Sequence, residues 1–195
     1  RYRHVQVDLG GGKVFVAGGL KDDATPPTAI ANVATYDAAT STWKGAADAI
    51  AAMPDAVYDA TALFAADAAG SKVFVFGGAS SLSTSATKKA RIYNVSANTW
   101  AAGPDMAAAR AGHVSFAAAG RLWAAGGYDG ATASDTLESL DWQATTPAWK
   151  TATGKMSSPR KFFAVAEQGG AVALAGGGSS AIDVTTKASA WGTRT

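Results

Sequence analysis

The sequence predicts an all-β chain of four repeated four-stranded units. Three observations carry this. Four short apolar runs each end in a glycine pair. A tryptophan follows each pair at a similar distance. Glu occurs only twice, at Glu138 and Glu167, against 13 Asp, whereas the wet face of a long helix draws on Glu and Lys.

The runs are Val14-Phe15-Val16-Ala17 before Gly18-Gly19, Val73-Phe74-Val75-Phe76 before Gly77-Gly78, Leu122-Trp123-Ala124-Ala125 before Gly126-Gly127, and Val172-Ala173-Leu174-Ala175 before Gly176-Gly177. Their first glycines lie 59, 49 and 50 residues apart. The tryptophans are Trp43, Trp100, Trp149 and Trp191, and Met53, Met106 and Met156 follow the first three. The steps from glycine to Trp to Met to the next glycine are 25, 10 and 24 in the first unit, against 23, 6 and 20 in the second. The surplus is spread over connections, where insertions are absorbed most easily.

Each run is four residues long and bounded by turn residues such as Gly12-Lys13, Gly120-Arg121 and Gly169-Gly170, which suits a strand better than a helix. The runs are continuously apolar, so both faces of these strands are expected to be covered. In the first unit the strands fall at His4 to Asp8, Lys13 to Ala17, Asn32 to Tyr36 and Thr42 to Lys44. The stretch from Tyr36-Asp37 to Trp43 reads as a tight hairpin with Asp37 shaping the turn. Tyr93-Asn94 to Trp100 repeats it at the same spacing. Units three and four stretch it to nine residues, Leu140 to Trp149 and Ile182 to Trp191, and lack the Tyr. Removing two side chains at a strand end permits close approach by another backbone or a bulky ring, and the Tyr and Trp of each unit are the obvious rings. A β/α arrangement would need helices at Ala46 to Met53 and Ala107 to Ala111. Pro54, Gly103-Pro104 and their shortness leave room for one short helical turn near Ala46 to Met53.

Composition narrows function. The chain has 195 residues, a net charge of +2 and no cysteine. The weak charge argues against a nucleic-acid module or a polybasic anchor. Without cysteine there is no disulfide framework, Cys-ligated zinc or thiol nucleophile. Alanines number 47, about half of the 48% apolar fraction, so large core side chains are fewer than that figure implies. No run of about 18 apolar residues spans a bilayer. The chain opens on Arg1 with no secretory leader pattern, which fits a processed mature form, an expression product or a fragment. The compartment stays open: soluble, with secretion or an organelle after precursor cleavage as one reading.

Four-stranded units near 50 residues per period, with the diglycine, the Tyr-Asp-type pair, the downstream Trp and the trailing Met in fixed order, resemble the kelch-repeat family. Arg3, Arg110 and Arg160 match its Arg position. The resemblance covers about residues 3 to 192 and implies a single kelch-type β-propeller domain, 1–195, with repeats near 3–45, 56–102, 109–151 and 158–193. The fourth repeat is the poorest match. Four blades admit three readings: a closed four-blade ring, an open arc whose end blades a partner caps, or part of a larger propeller. The chain opens on an innermost strand and closes on an outermost one, without the strand exchange that usually seals the ring.

The candidate partner-binding residues are Asp22, Asp23, Lys88, Lys89, Tyr128 and Asp129, on loops expected to share one rim, and Arg110 and Arg160, expected toward the central channel or its mouth. Asp22-Asp23 lacks the alternating oxygen ligands of a calcium loop. A set of arginines, Arg3, Arg110 and Arg160, is suited to an acidic peptide or a carboxylate sugar, unless each pairs with a neighbouring blade's backbone; Lys161-Phe162-Phe163 adds an aromatic wall. His4 and His113, at corresponding places, read as buried and structural. Gly10-Gly11-Gly12-Lys13 precedes a strand and so is no phosphate loop. Asn94-Val95-Ser96 is a glycosylation acceptor triplet, and Ser80 to Thr87 a flexible or modified loop.

No catalytic triad, paired carboxylates or metal spacing stands out. The reading is a non-enzymatic protein–protein interaction or scaffold module without cofactor or metal, a subunit of a larger assembly or a self-associating chain, with no nucleic acid and no membrane span. The alternative is a carbohydrate-binding or sugar-epimerase-like propeller. The resemblance extends to a copper sugar oxidase, whose Cys–Tyr cross-link this chain cannot form, and to a sialic-acid epimerase, for which His113, Glu138 or Arg110 would serve as acid–base residues.

Overall fold

The computed structural model describes residues 1–23, 25–82, 86–180, 182–187 and 190–194, with backbone alone from 186 onward. The structure is all-β and carries four four-stranded antiparallel sheets, the four blades of a β-propeller fold. Blade 1 pairs β1 (Val5–Gly10), β2 (Lys13–Ala17), β5 (Val33–Asp37) and β6 (Thr42–Lys44), with β3 (Leu20–Lys21) and β4 (Thr28–Ala29) forming a small ribbon in its long loop. Blade 2 contains β7 (Thr61–Asp67), β8 (Gly70–Phe76), β9 (Ala90–Asn94) and β10 (Thr99–Ala102). Blade 3 contains β11 (Val114–Ala118), β12 (Arg121–Ala125), β13 (Thr136–Leu140) and β14 (Trp149–Lys155). Blade 4 contains β15 (Phe163–Gln168), β16 (Ala171–Gly176), β17 (Ile182–Lys187) and β18 (Ala190–Arg194). One 3₁₀ turn, Ala46–Asp48, stands where the sequence left room for it.

The chain divides into two compact units. The first holds residues 1–84 and 89–103, hence blades 1 and 2; the second holds 85–88 and 104–195, hence blades 3 and 4. In the first unit Phe15 of β2 lies 5.2 Å from the Tyr93 ring and 6.3 Å from Trp100, in a core with Val33, Met53, Val57, Val73 and Val75. In the second, Trp123 stacks on Phe116 within a core that includes Leu137, Met156, Val172 and Leu174. The inner ends of β2, β8 and β12 are covered on both faces, as continuous apolar runs require. The expectation fails for β16, whose residues alternate between buried and partly open.

The diglycines adopt left-handed backbone, with φ +65° and +95° at Gly18-Gly19 and +63° and +85° at Gly126-Gly127. Their neighbours bear out the close approach of backbone and correct the choice of ring. A Cβ on Gly18 would lie 2.5 Å from the Val57 carbonyl oxygen and 3.0 Å from the Met53 methyl. On Gly126 it would lie 2.7 Å from the Arg160 carbonyl oxygen and 2.8 Å from the Met156 methyl. The segment entering the next blade thus fills the glycine cradle, with its buried methionine and, at Gly126, the Phe163 ring at 2.8 Å, and the Tyr and Trp rings do not. The rings serve elsewhere. Trp100 Nε1 donates to the Ala51 carbonyl at 3.0 Å and Trp149 Nε1 to the Pro104 carbonyl at 3.0 Å, each two residues before a buried Met. Trp43, by contrast, is 59% exposed. The Trp191 side chain lies outside the described residues.

Candidate functional site

The first strand of a blade enters opposite the end of its second strand, with Val5 of β1 paired to Ala17 of β2 and Val114 of β11 to Ala125 of β12. Entry segments and post-diglycine loops therefore lie at one end of each sheet. Bridges Tyr2–Leu20, Tyr58–Ala79 and Ala111–Tyr128 join the two kinds of loop. The residue after each bridge is left-handed: Arg3 at φ +57°, Asp59 at +53° and Gly112 at +58°, with Phe162 at +53° in the matching place of blade 4.

This register aligns Arg1, Val57, Arg110 and Arg160, and corrects the assignment of Arg3. Arg1 Nη1 donates to Asn32 O and Arg110 Nη1 to Thr136 O, and those two carbonyls also accept from the first glycine of the pair, Gly18 and Gly126. Arg3 is one step further along. Its guanidinium pairs with the Asp59 carboxylate, Nε to Oδ1 at 2.7 Å, and lies 4.7 Å over the Tyr58 ring.

Arg110 and Arg160 are buried, with 1% and 0% of their surface in water, so they cannot meet a partner at the surface. Arg110 donates to Glu138 from Nε at 3.0 Å and Nη2 at 2.8 Å, and to the Gly126 carbonyl from Nη1 at 2.7 Å. Glu138, itself 1% exposed, accepts in addition from the amides of Ala107 and Ala108. Arg160 repeats the arrangement, with Asp183 at 2.9 Å and the Gly176 carbonyl at 3.3 Å, and Asp183 accepts from the Ser157 amide. Each Arg locks its entry loop to the third strand of its blade. Blade 2 reverses the polarity. Val57 occupies the Arg position, and Arg91 stands on β9 where Glu138 stands on β13, opposite the residue two before the diglycine in both sheets. Arg91 binds Asp55 of the entry loop through two contacts of 2.5 Å and reaches the Gly77 carbonyl at 3.2 Å. Those bonds hold the Asp55 carboxyl below its usual range.

The two histidines part company. His113 is buried, and burial followed by the Arg110 charge lowers its pKa to about 3; it is neutral at physiological pH. His4 is exposed, contrary to the buried role expected for it. Their backbones are equivalent: each Cβ lies within 3 Å of where the second glycine, Gly19 or Gly127, would carry its own.

The remaining candidates lie at the surface. Asp22 and Asp23 are exposed beside the β3–β4 ribbon, and Lys21 lowers the Asp23 carboxyl through a hydrogen bond. Lys88 and Lys89 are exposed before β9, 4.0 Å from Asp105 and 3.9 Å from Asp55 respectively. Asp129 accepts from the amides of Ala131 and Thr132, which lowers its carboxyl. Asn94 Oδ1 accepts from the Ser96 and Ala97 amides, the turn role Asp37 plays toward Ala39.

One group gathers in the second unit. The Phe162 ring lies across Gly112, where a Cβ would come within 2.6 Å of it, and 5.7 Å from the Tyr128 ring. The Lys161 ammonium sits 4.7 Å over Tyr128. Phe162 is 55% exposed. Tyr128 was legible as a loop aromatic; its pairing with Phe162 follows only from the left-handed turn.

Comparison with known proteins agrees with this geometry. Residues 60–107 match the Kelch motif. The chain carries a β-propeller fold with a Kelch motif over residues 60–107. Among solved structures, the chain is similar to the one titled "Structure of YjhT", with a TM-score of 0.83, 14% sequence identity and coverage of 98% of this chain and 70% of that one. No curated protein matches the sequence.

Proposed function

We propose that the chain is a non-enzymatic kelch binding module whose diglycine-end loops receive a protein partner, with Phe162, Tyr128, Lys161 and Asp129 as contacts. One observation carries this reading: a large aromatic ring is held half in water on left-handed backbone, braced by Gly112 and Tyr128. Such a conformation costs about 1–3 kcal/mol and persists where surrounding structure enforces it. Rigid aromatics beside a cation are the usual anchors of protein interfaces. The groups that an acid–base mechanism would recruit, Glu138 and Arg110, are committed to each other, and His113 is buried and neutral. Kelch propellers commonly serve protein interaction, which supports the same reading.

A ring platform flanked by polar side chains also suits a sugar face, so the test has two arms. A photo-crosslinking phenylalanine analogue at position 162, irradiated in extract of the source cells, yields a discrete protein adduct, while the analogue at exposed Glu167 does not. A glycan array that binds the chain and loses binding on Phe162→Asn would support the carbohydrate reading. Silence in both arms overturns the platform. The Asn94 triplet would show, if used, as a glycan mass lost in Asn94→Gln.

A further inference from the structure

We infer that Ser158 is a phosphorylation site for a proline-directed kinase, and that phosphate there takes Arg160 from Asp183 and frees the entry loop of blade 4. The starting point is a departure from the repeat. Met106 and Arg110 at the entry to blade 3 correspond to Met156 and Arg160 at the entry to blade 4, all four buried. Between them blade 3 has Ala107-Ala108-Ala109, and blade 4 has Ser157-Ser158-Pro159. On the third strand Glu138, opposite Ala124, becomes Asp183, opposite Leu174, and the carboxylate is one methylene shorter.

The clamp is looser as a result. Arg110 holds Glu138 through Nε and Nη2 and the Gly126 carbonyl at 2.7 Å. Arg160 meets Asp183 from Nη2 at 2.9 Å and the Gly176 carbonyl at 3.3 Å. The same Nη2 lies 3.4 Å from the hydroxyls of Ser157 and Ser158 and 3.3 Å from that of Ser179. Of the segment carrying these groups, Ser157 and Pro159 are exposed and Ser158 is partly exposed, on irregular chain between β14 and β15. Three Ser/Thr-Pro steps occur in the sequence, at Thr25, Thr146 and Ser158, and Ser158 alone has a cation three residues on, Lys161. A trailing proline brings no N–H for an apolar kinase cleft to strand, and the lysine offers a charge to an acidic subsite beside it.

In the transfer Ser158 Oγ bonds to the γ-phosphorus of ATP, the bond to the β,γ-bridging oxygen breaks, ADP leaves, and the hydroxyl proton passes to the kinase's catalytic Asp. The product carries about −1.5 to −2 charges at neutral pH. It repels Asp183, itself 1% exposed, and competes with it for Arg160 with the larger charge. Arg160 then leaves its tie to β17. The backbone of that loop is fastened by Arg160 N donating to Ser134 O at 3.1 Å, Gly127 N to Arg160 O at 2.9 Å and Phe162 N to Gly112 O at 2.8 Å, and the Ser157 amide by Asp183 itself. These bonds report the release, whatever binds at Phe162.

The test incubates the full chain with ATP and a purified proline-directed serine/threonine kinase and maps phosphate by tandem mass spectrometry. Modification is expected on Ser158 ahead of Thr146, which is exposed but followed by no such cation, and is lost in Ser158→Ala. That variant stays folded, since Ala108 occupies the same place in blade 3. On the phosphorylated chain, amide exchange quickens about tenfold at Ser157, Arg160 and Phe162 and is unchanged at Gly77 of the first unit. A chain unmodified at Ser158, or modified first at Thr146, overturns the site. Phosphate on Ser158 with exchange unaltered at the three amides, or quickened equally at Gly77, overturns the release.

Discussion

Glu138 and Arg110 meet at 2.8 Å with both side chains 1% exposed. Desolvating such a pair costs several kcal/mol per ion, so removing one partner is far worse than never having had the pair. Here the remaining valences are met by the Gly126 carbonyl and the Ala107 and Ala108 amides, which turns the pair into a clamp on the entry loop. The reversed pair of blade 2 makes the clamp testable. Arg91→Glu sets two carboxylates against each other and costs about 3 kcal/mol or more in urea denaturation. Adding Val57→Arg, which restores the polarity of blade 3, regains about 1 kcal/mol or more; no recovery would mean that Val57 and Arg110 are not equivalent. His113 supplies a pH signature. Its folded pKa is lowered to about 3 from 6.5, so between these values the unfolded chain binds the extra proton. Stability is flat above pH 6.5 on this account and falls as pH drops toward 3. His113→Gln should flatten that slope in chemical denaturation from pH 7 to 4.

At the level of the element, the glycine cradles separate crowding from backbone strain. Gly126 and Gly176 both have φ in the left-handed region, +63° and +89°, so alanine pays a conformational cost at either. Only at Gly126 does the new methyl meet backbone, 2.7 Å from the Arg160 oxygen. Thermal unfolding should show a loss of about 2–4 kcal/mol for Gly126→Ala and about 1 kcal/mol for Gly176→Ala. Equal losses would refute the cradle. The strands were legible because four-residue apolar runs between turn residues have few other solutions; β2 and β6 fall on the expected residues. The occupant of the cradle was not, because nothing local distinguishes a glycine that yields to a ring from one that yields to a carbonyl. The Arg register was missed for a related reason. Arg3 stands immediately before His4, and only the bridges at Tyr2 and Ala111 show that Arg1 is the counterpart of Arg110. The sequence could not show that blade 2 inverts its ion pair, since Arg91 and Asp55 lie 36 residues apart.

Across the whole molecule, repetition and exception divide the labour. What repeats is structural: diglycine, buried Met, Trp donating to a carbonyl, charge pair beneath the entry loop. What departs from the repeat is where function is sought. The left-handed entry position holds Arg3 paired to Asp59 in unit 1, but Gly112 beneath Phe162 in unit 2. Among the described residues no helix is long and apolar enough to cross a membrane, and the charge of +2 steers no particular partner. On the proposed reading, recognition rests on local surface chemistry. The central claim is that the repeated frame carries stability and the Phe162 platform carries binding. The most direct measurement is Phe162→Asn, followed by thermal unfolding and by capture of the partner that cross-links through position 162. Asn tolerates left-handed backbone, so the account predicts unfolding within about 2 °C of the parent, on the scale of a surface change, with capture lost. Retained capture at full stability would contradict it.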